Sequence, residues 1–160
     1  VDSRVLKAWE DWEHTRSADE RAVTRTAFRR LLTGRAPTIA DLACALGASD
    51  QAVTQTVHTM VDQGLATADG DYVTGVGGLS LVPAPHRLQW NGRRYWTWCA
   101  LDAIGIPAAL GGDARVDSRV APDGTVVHLY FQDGAWTDSD ATLGIRLAEP
   151  QVARPLCGGT

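Results

Sequence analysis

His86-Arg87-Leu88-Gln89-Trp90-Asn91-Gly92-Arg93-Arg94-Tyr95-Trp96-Thr97-Trp98-Cys99-Ala100-Leu101-Asp102 is the stretch on which the fold turns. Its centre, Asn91-Gly92, suits a two-residue hairpin turn because both residue types tolerate positive φ. The flanks are rich in aromatic residues that favour strands, so the spacing predicts antiparallel strands over residues 86–90 and 93–96. A short helix is expected from about residue 97 to 104, with Pro107 preventing a simple continuation. A hairpin that feeds directly into a helix sets the class: α+β, with a mainly antiparallel sheet and a short helix at its centre.

Working outward, residues 79–82 read as a strand before this hairpin. Residues 115–120 and 125–131 form a second hairpin around Pro122-Asp123-Gly124. Further strands are expected at 143–147 and 152–156, the last leading into Cys157. Towards the N-terminus the punctuation is helical. Ser17 with Glu20 forms a capping box that opens a helix through Leu32, ended by Gly34. Thr38 with Asp41 repeats the pattern for a helix over 39–46, closed by Gly47. Ser49 caps a third helix over 50–63, closed by Gly64, with Val53, Val57, Met60 and Val61 on one face. A tight turn between helices, followed by strand-turn-strand at Asp69-Gly70, suggests a winged-helix-like lobe. The expected organisation is an N-terminal helical extension over 1–16, the winged-helix-like lobe over 17–75, and an α+β domain over 76–160. The extension carries Trp9 and Trp12 on one helical face, which need cover from the rest of the domain or from a second copy in a homodimer.

The 160 residues, 44% hydrophobic and 21% charged, suit one compact domain or two small lobes sharing a core. That mix excludes a disordered tail and a collagen-like repeat. No apolar run approaches the roughly 20 residues that span a bilayer. The first 20 residues are charged and helix-like, unlike the apolar stretch of a signal peptide. The chain starts at Val1 rather than Met, which leaves room for a missing start. Cys44, Cys99 and Cys157 are too few and too scattered for a disulfide framework. The expectation is a soluble cytoplasmic protein with reduced thiols and no membrane partner.

A winged helix invites a DNA-binding reading, and charge decides against it. The net charge is −4, and DNA affinity comes mainly from Lys and Arg on phosphates. The candidate recognition helix offers Asp50, Gln51, Thr54, Gln55, His58, Thr59, Asp62 and Gln63 outward, with no basic residue. None occurs anywhere from residue 36 to 85. Gln and Thr can touch bases, but nothing would hold the helix in the groove. The lobe reads as a packing element or lid, with no nucleic-acid partner.

The residues able to carry chemistry lie around Cys99. On a helix, Cys99 and Asp102 stand at i and i+3 and share a face, which puts a soft metal ligand beside a proton carrier. Read alone, this pattern also fits a small buried cysteine near a helix start. Tyr95, Trp96 and Trp98 read as core or as pocket wall suited to an apolar organic group. Cys44, within Leu42-Ala43-Cys44-Ala45-Leu46, is expected in the core. The four histidines lack metal-ligand spacing, and His86 and His128 sit on separate strands, so zinc has little support. Gly75, Gly77 and Gly78 lack the context of a phosphate loop and read as a plain loop.

Arg94-Tyr95, Trp98-Cys99-Ala100-Leu101-Asp102, Ile106-Pro107-Ala108 and Ala114-Arg115-Val116 together resemble the signature of the alkylmercury lyases (organomercurial lyases). The order of parts is similar too, over about residues 19 to 157. The resemblance implies that Cys99 and Asp102 are catalytic, and that Cys157 matches the family's second catalytic cysteine. Cys99 and Cys157 would bind mercury as thiolates, with Asp102 beside the metal as the proton shuttle that cleaves the carbon–mercury bond. It also implies no organic cofactor: Hg(II) is the bound product, and small thiols or a mercuric reductase accept it. Where the family often has a further structural cysteine, this chain has Val120. The family also continues past its second cysteine, whereas this chain ends at Thr160. It is therefore expected either to lack its C-terminal part or to be a shortened relative. That ending motivates a rival reading, a non-enzymatic relative that holds a soft metal or another ligand through the same thiols.

Overall fold

The computed structural model describes residues 15–120 and 124–139. Among these, four helices form: α1 (Ala18–Leu31), α2 (Ile39–Leu46), α3 (Asp50–Asp62) and α4 (Ala100–Leu110). Eight strands accompany them: β1 (Ala66–Asp69), β2 (Tyr72–Val76), β3 (Leu79–Ser80), β4 (His86–Trp90), β5 (Arg93–Thr97), β6 (Ala114–Val120), β7 (Thr125–Gln132) and β8 (Ala135–Ser139). They make one antiparallel sheet in the order β1-β2-β3-β5-β4-β6-β7-β8. The α+β class read from the sequence is the class observed. No described helix is long and apolar enough to cross a membrane. Trp9, Trp12, the strands expected at 143–147 and 152–156, and Cys157 lie outside the described residues.

The helix starts follow their caps. Ser17 Oγ accepts the Glu20 N–H at 3.1 Å while Glu20 Oε2 accepts the Ser17 N–H at 2.8 Å. Thr38 and Asp41 make the same reciprocal pair, both at 3.0 Å. These bonds satisfy donors that a helix N-terminus leaves free. They also hold the Asp41 carboxyl below its usual value, chiefly through the Thr38 backbone N–H. Behind the caps, Val23, Ala27 and Leu31 of α1 bury against Leu42 of α2 and Val53, Val57 and Met60 of α3. The β1–β2 hairpin completes this end with Val73 and Val76.

Three elements depart from the sequence reading. The helix expected to stop short of Pro107 instead runs from Ala100 to Leu110 with Pro107 inside it. Proline removes one backbone donor there, but Ala103, Ile106 and Pro107 all bury against the sheet, and that burial prevails. The strand expected over 79–82 is only two residues long. The Ser80 hydroxyl bonds both the Val82 N–H and its carbonyl, at 3.0 and 2.9 Å, and curls the chain off the sheet. Strand β8 has no counterpart in the expected set; its signal is Asp133-Gly134, a hairpin pair with φ of 51° and 79°.

Register gives the sheet two characters. Tyr95, Leu88, Val116 and Leu129 stand opposite one another across β5, β4, β6 and β7, each 3% exposed or less. Helix α4 lies over this row, and its C-terminal end is fixed where Trp90 Nε1 donates to the Gly111 carbonyl at 2.7 Å. One step along, the row is Thr97, His86, Ser118 and Val127, below the start of α4. The opposite face carries Arg87, Asp117 and His128 side by side.

Candidate active site at the start of the fourth helix

Only Trp98 and Cys99 separate the end of β5 from the start of α4. Cys99 has extended backbone, with φ of −136° and ψ of 170°, and occupies the N-cap position usually filled by Ser or Thr. The helix proper begins at Ala100, two or three residues later than the spacing suggested, so Cys99 precedes the helix. Asp102, in the first turn, folds back so that its Oδ2 accepts the Cys99 N–H at 3.2 Å. Thiol and carboxyl are thus brought to the same helix end, both half-buried.

The floor beneath Asp102 comes from the turn between β2 and β3. Gly78 has a φ of +80°, and a β-carbon built on it would lie 2.2 Å from Asp102 Oδ1 and 2.3 Å from Asp102 Cγ. Its carbonyl accepts the Trp98 N–H at 3.2 Å. At Gly75 a β-carbon would stand 2.6 Å from Thr67 Oγ1 and 3.0 Å from Trp98 Cζ2. Sequence reasoning treated these glycines as a plain loop. The available signal was their number, three in four residues, but its meaning depends on tertiary contact with α4.

His86 and Thr97 border the site from the sheet. His86 Nδ1 lies 2.9 Å from Ser118 Oγ. Burial pushes this imidazole below its usual value, opposed by the negative charge of Asp102. The Thr97 hydroxyl is buried with no hydrogen-bond partner among the described residues. Tyr95 is fully buried, and its hydroxyl donates to the Leu32 carbonyl at 2.6 Å, tying the strand that leads to Cys99 to the end of α1. Arg93 Nη1 reaches the same carbonyl at 3.2 Å.

Of the three expected site residues, the structure brings Cys99 and Asp102 together, and Cys157 lies outside the described residues. Cys44 corrects an expectation: it is exposed, not core. On α2 the inward positions are Ile39, Leu42 and Ala43, and the next residue turns away by about 100°. The apolar composition around Cys44 obscured that periodicity. The cluster on the opposite face escaped sequence reading altogether. Asp117 accepts from Arg87 Nε at 3.0 Å and Arg115 Nε at 2.8 Å, with His128 Nδ1 at 2.6 Å. Despite the opposing effect of burial, these partners pull its carboxyl down to about 2.

Comparison with known proteins gives a consistent picture. Residues 79–159 match the family model for MerB, alkylmercury lyase. An alkylmercury lyase of Pseudomonas putida is 37% identical over 129 residues, covering 80% of this chain and 56% of the relative. One from Streptomyces lividans is 31% identical over 134 residues, covering 80% and 59%. The chain therefore spans less than three fifths of the length of these relatives. Among solved structures, the mercury-bound form of MerB2 shares the fold with a TM-score of 0.76 at 20% identity, over 87% of this chain and 68% of that one.

Proposed function

The chain belongs to the alkylmercury lyase family, and on that footing we propose that it cleaves carbon–mercury bonds by protonolysis at Cys99, Asp102 and Cys157. The observation that carries the reading is the Asp102 carboxylate folded onto the Cys99 backbone at the start of α4. A thiolate is the preferred protein ligand for a soft metal, and a carboxyl one turn away can receive its proton.

In this reading the Cys99 sulfur attacks the mercury of R–Hg–X and X departs. The Cys99 proton passes to Asp102. The Cys157 thiol gives its proton to the departing X and, as a second thiolate, adds electron density to the metal. Asp102 then gives its proton to the carbon as the carbon–mercury bond breaks, and R–H leaves. The balance is two thiols and R–Hg–X in, and R–H, a mercury dithiolate and HX out. Trp98 and its neighbours supply an apolar wall for R. A small thiol or a mercuric reductase takes the metal away. The chemistry needs reduced cysteines, which fits a cytoplasmic setting.

The test is hydrocarbon release from an organomercurial with excess small thiol. Wild type is expected to turn over, and Asp102→Ala to hold mercury without releasing hydrocarbon. Cys99→Ser should lose both steps, because a hydroxyl is a hard, weakly acidic substitute. Cys44→Ser should match wild type in turnover and in stability, as its exposure requires. A wild type that binds mercury but releases nothing would replace the lyase reading with the soft-metal-binding alternative.

A further inference from the structure

Proton delivery depends on where the Asp102 carboxylate sits, and the β2–β3 turn determines this from below. Gly78 does two things at once. Its carbonyl fixes the Trp98 N–H, one residue before the cysteine. Its bare α-carbon lies under the carboxylate, so closely that a methyl group would overlap all three terminal atoms of Asp102, at 2.2, 2.3 and 2.7 Å. Relieving such contacts requires the carboxylate to move by about 1 Å, and a misplacement of that size can cost roughly a hundredfold in rate.

Resting on the lyase reading, we propose that Gly78 is a positioning residue for the reaction: its missing side chain is the seat that holds the Asp102 carboxylate against Cys99. It acts through Asp102 and does not touch the substrate. Gly92 provides the matched control. Its φ of +72° resembles that of Gly78, but a β-carbon there meets nothing within 4 Å. An alanine at either position carries left-handed strain, and only the one at position 78 also displaces the carboxylate.

The experiment compares Gly78→Ala, Gly92→Ala, Asp102→Ala and the double variant Gly78→Ala/Asp102→Ala. Gly78→Ala should lower kcat about a hundredfold while stoichiometric Hg(II) uptake by the thiols stays at the wild-type level. Gly92→Ala should keep wild-type turnover and lower Tm by about 3 °C. Gly78→Ala should lower Tm by more than twice as much, and the excess should vanish in the Asp102→Ala background, where the overlapping atoms are gone. This thermal cycle needs no substrate and reads the contact independently of the chemistry. It also decides the matter if Gly78→Ala does not fold, since the double variant must then fold, with a Tm below that of Asp102→Ala by only the strain loss seen for Gly92→Ala. A Gly78→Ala enzyme that turns over like an active wild type would overturn this assignment and leave the lyase reading standing. A double variant no better than Gly78→Ala would overturn the seat itself. An inactive wild type would remove the lyase reading and the catalytic assignment together.

Discussion

Asp117→Asn isolates the electrostatics of the face opposite α4. The carboxyl is held at about 2 against an ordinary 3.8, a gap equivalent to about 2.4 kcal/mol at 1.36 kcal/mol per tenfold. The Arg87 and Arg115 side chains are 53% and 42% exposed, so water and salt screen their charges. Halving for that leaves about 1 kcal/mol. The sign follows from the depressed value: the contribution is complete above 3.8 and disappears as pH falls through about 2. Urea titration of wild type and Asp117→Asn at pH 7 in low salt should show the variant weaker by about 1 kcal/mol. In 1 M salt the gap should shrink to less than half, and near pH 2 it should close. Equal stability at pH 7, or a gap that survives both acid and salt, would refute the ion-pair account.

Tyr95→Phe removes the 2.6 Å bond to the Leu32 carbonyl; chemical denaturation should show a loss of about 1 kcal/mol, with hydrocarbon release little changed. His86 is pushed below its usual 6.5 by burial, so the unfolded chain takes up this proton first and stability should fall as pH drops below 6.5. His86→Gln should flatten that slope in a series of Tm measurements. Duplex DNA should show no salt-sensitive binding in a mobility-shift assay, because α3 and the β1–β2 hairpin carry no Lys or Arg.

Local signals made much of this fold legible. Ser17-Glu20, Thr38-Asp41 and Asn91-Gly92 act within a few residues of themselves, and each marks an observed boundary. The Cys99–Asp102 pairing was legible for the same reason, although the helix begins after the cysteine. What escaped the sequence is set by partners distant along the chain. Gly78 acquires its role only when α4 lands on it, and Asp117 meets Arg87 only through the register of β4 with β6. Pro107 misled because a local rule was outweighed by burial against strands on either side. Cys44 misled in the opposite way, since a correct count of helical positions would have turned it outward.

A helix ordinarily starts on an inert hydroxyl, but α4 starts on a sulfur, and its first turn is also tied back by the carboxylate of Asp102. In the proposed reaction both groups change, as the thiol takes up the metal and the acid gains and gives up a proton. The backbone amides of Cys99 and its neighbours therefore record the chemical state of the site. Their hydrogen-exchange rates and nuclear resonance frequencies should shift with each ligation state. The beginning of this helix is a built-in gauge, readable without label or chromophore.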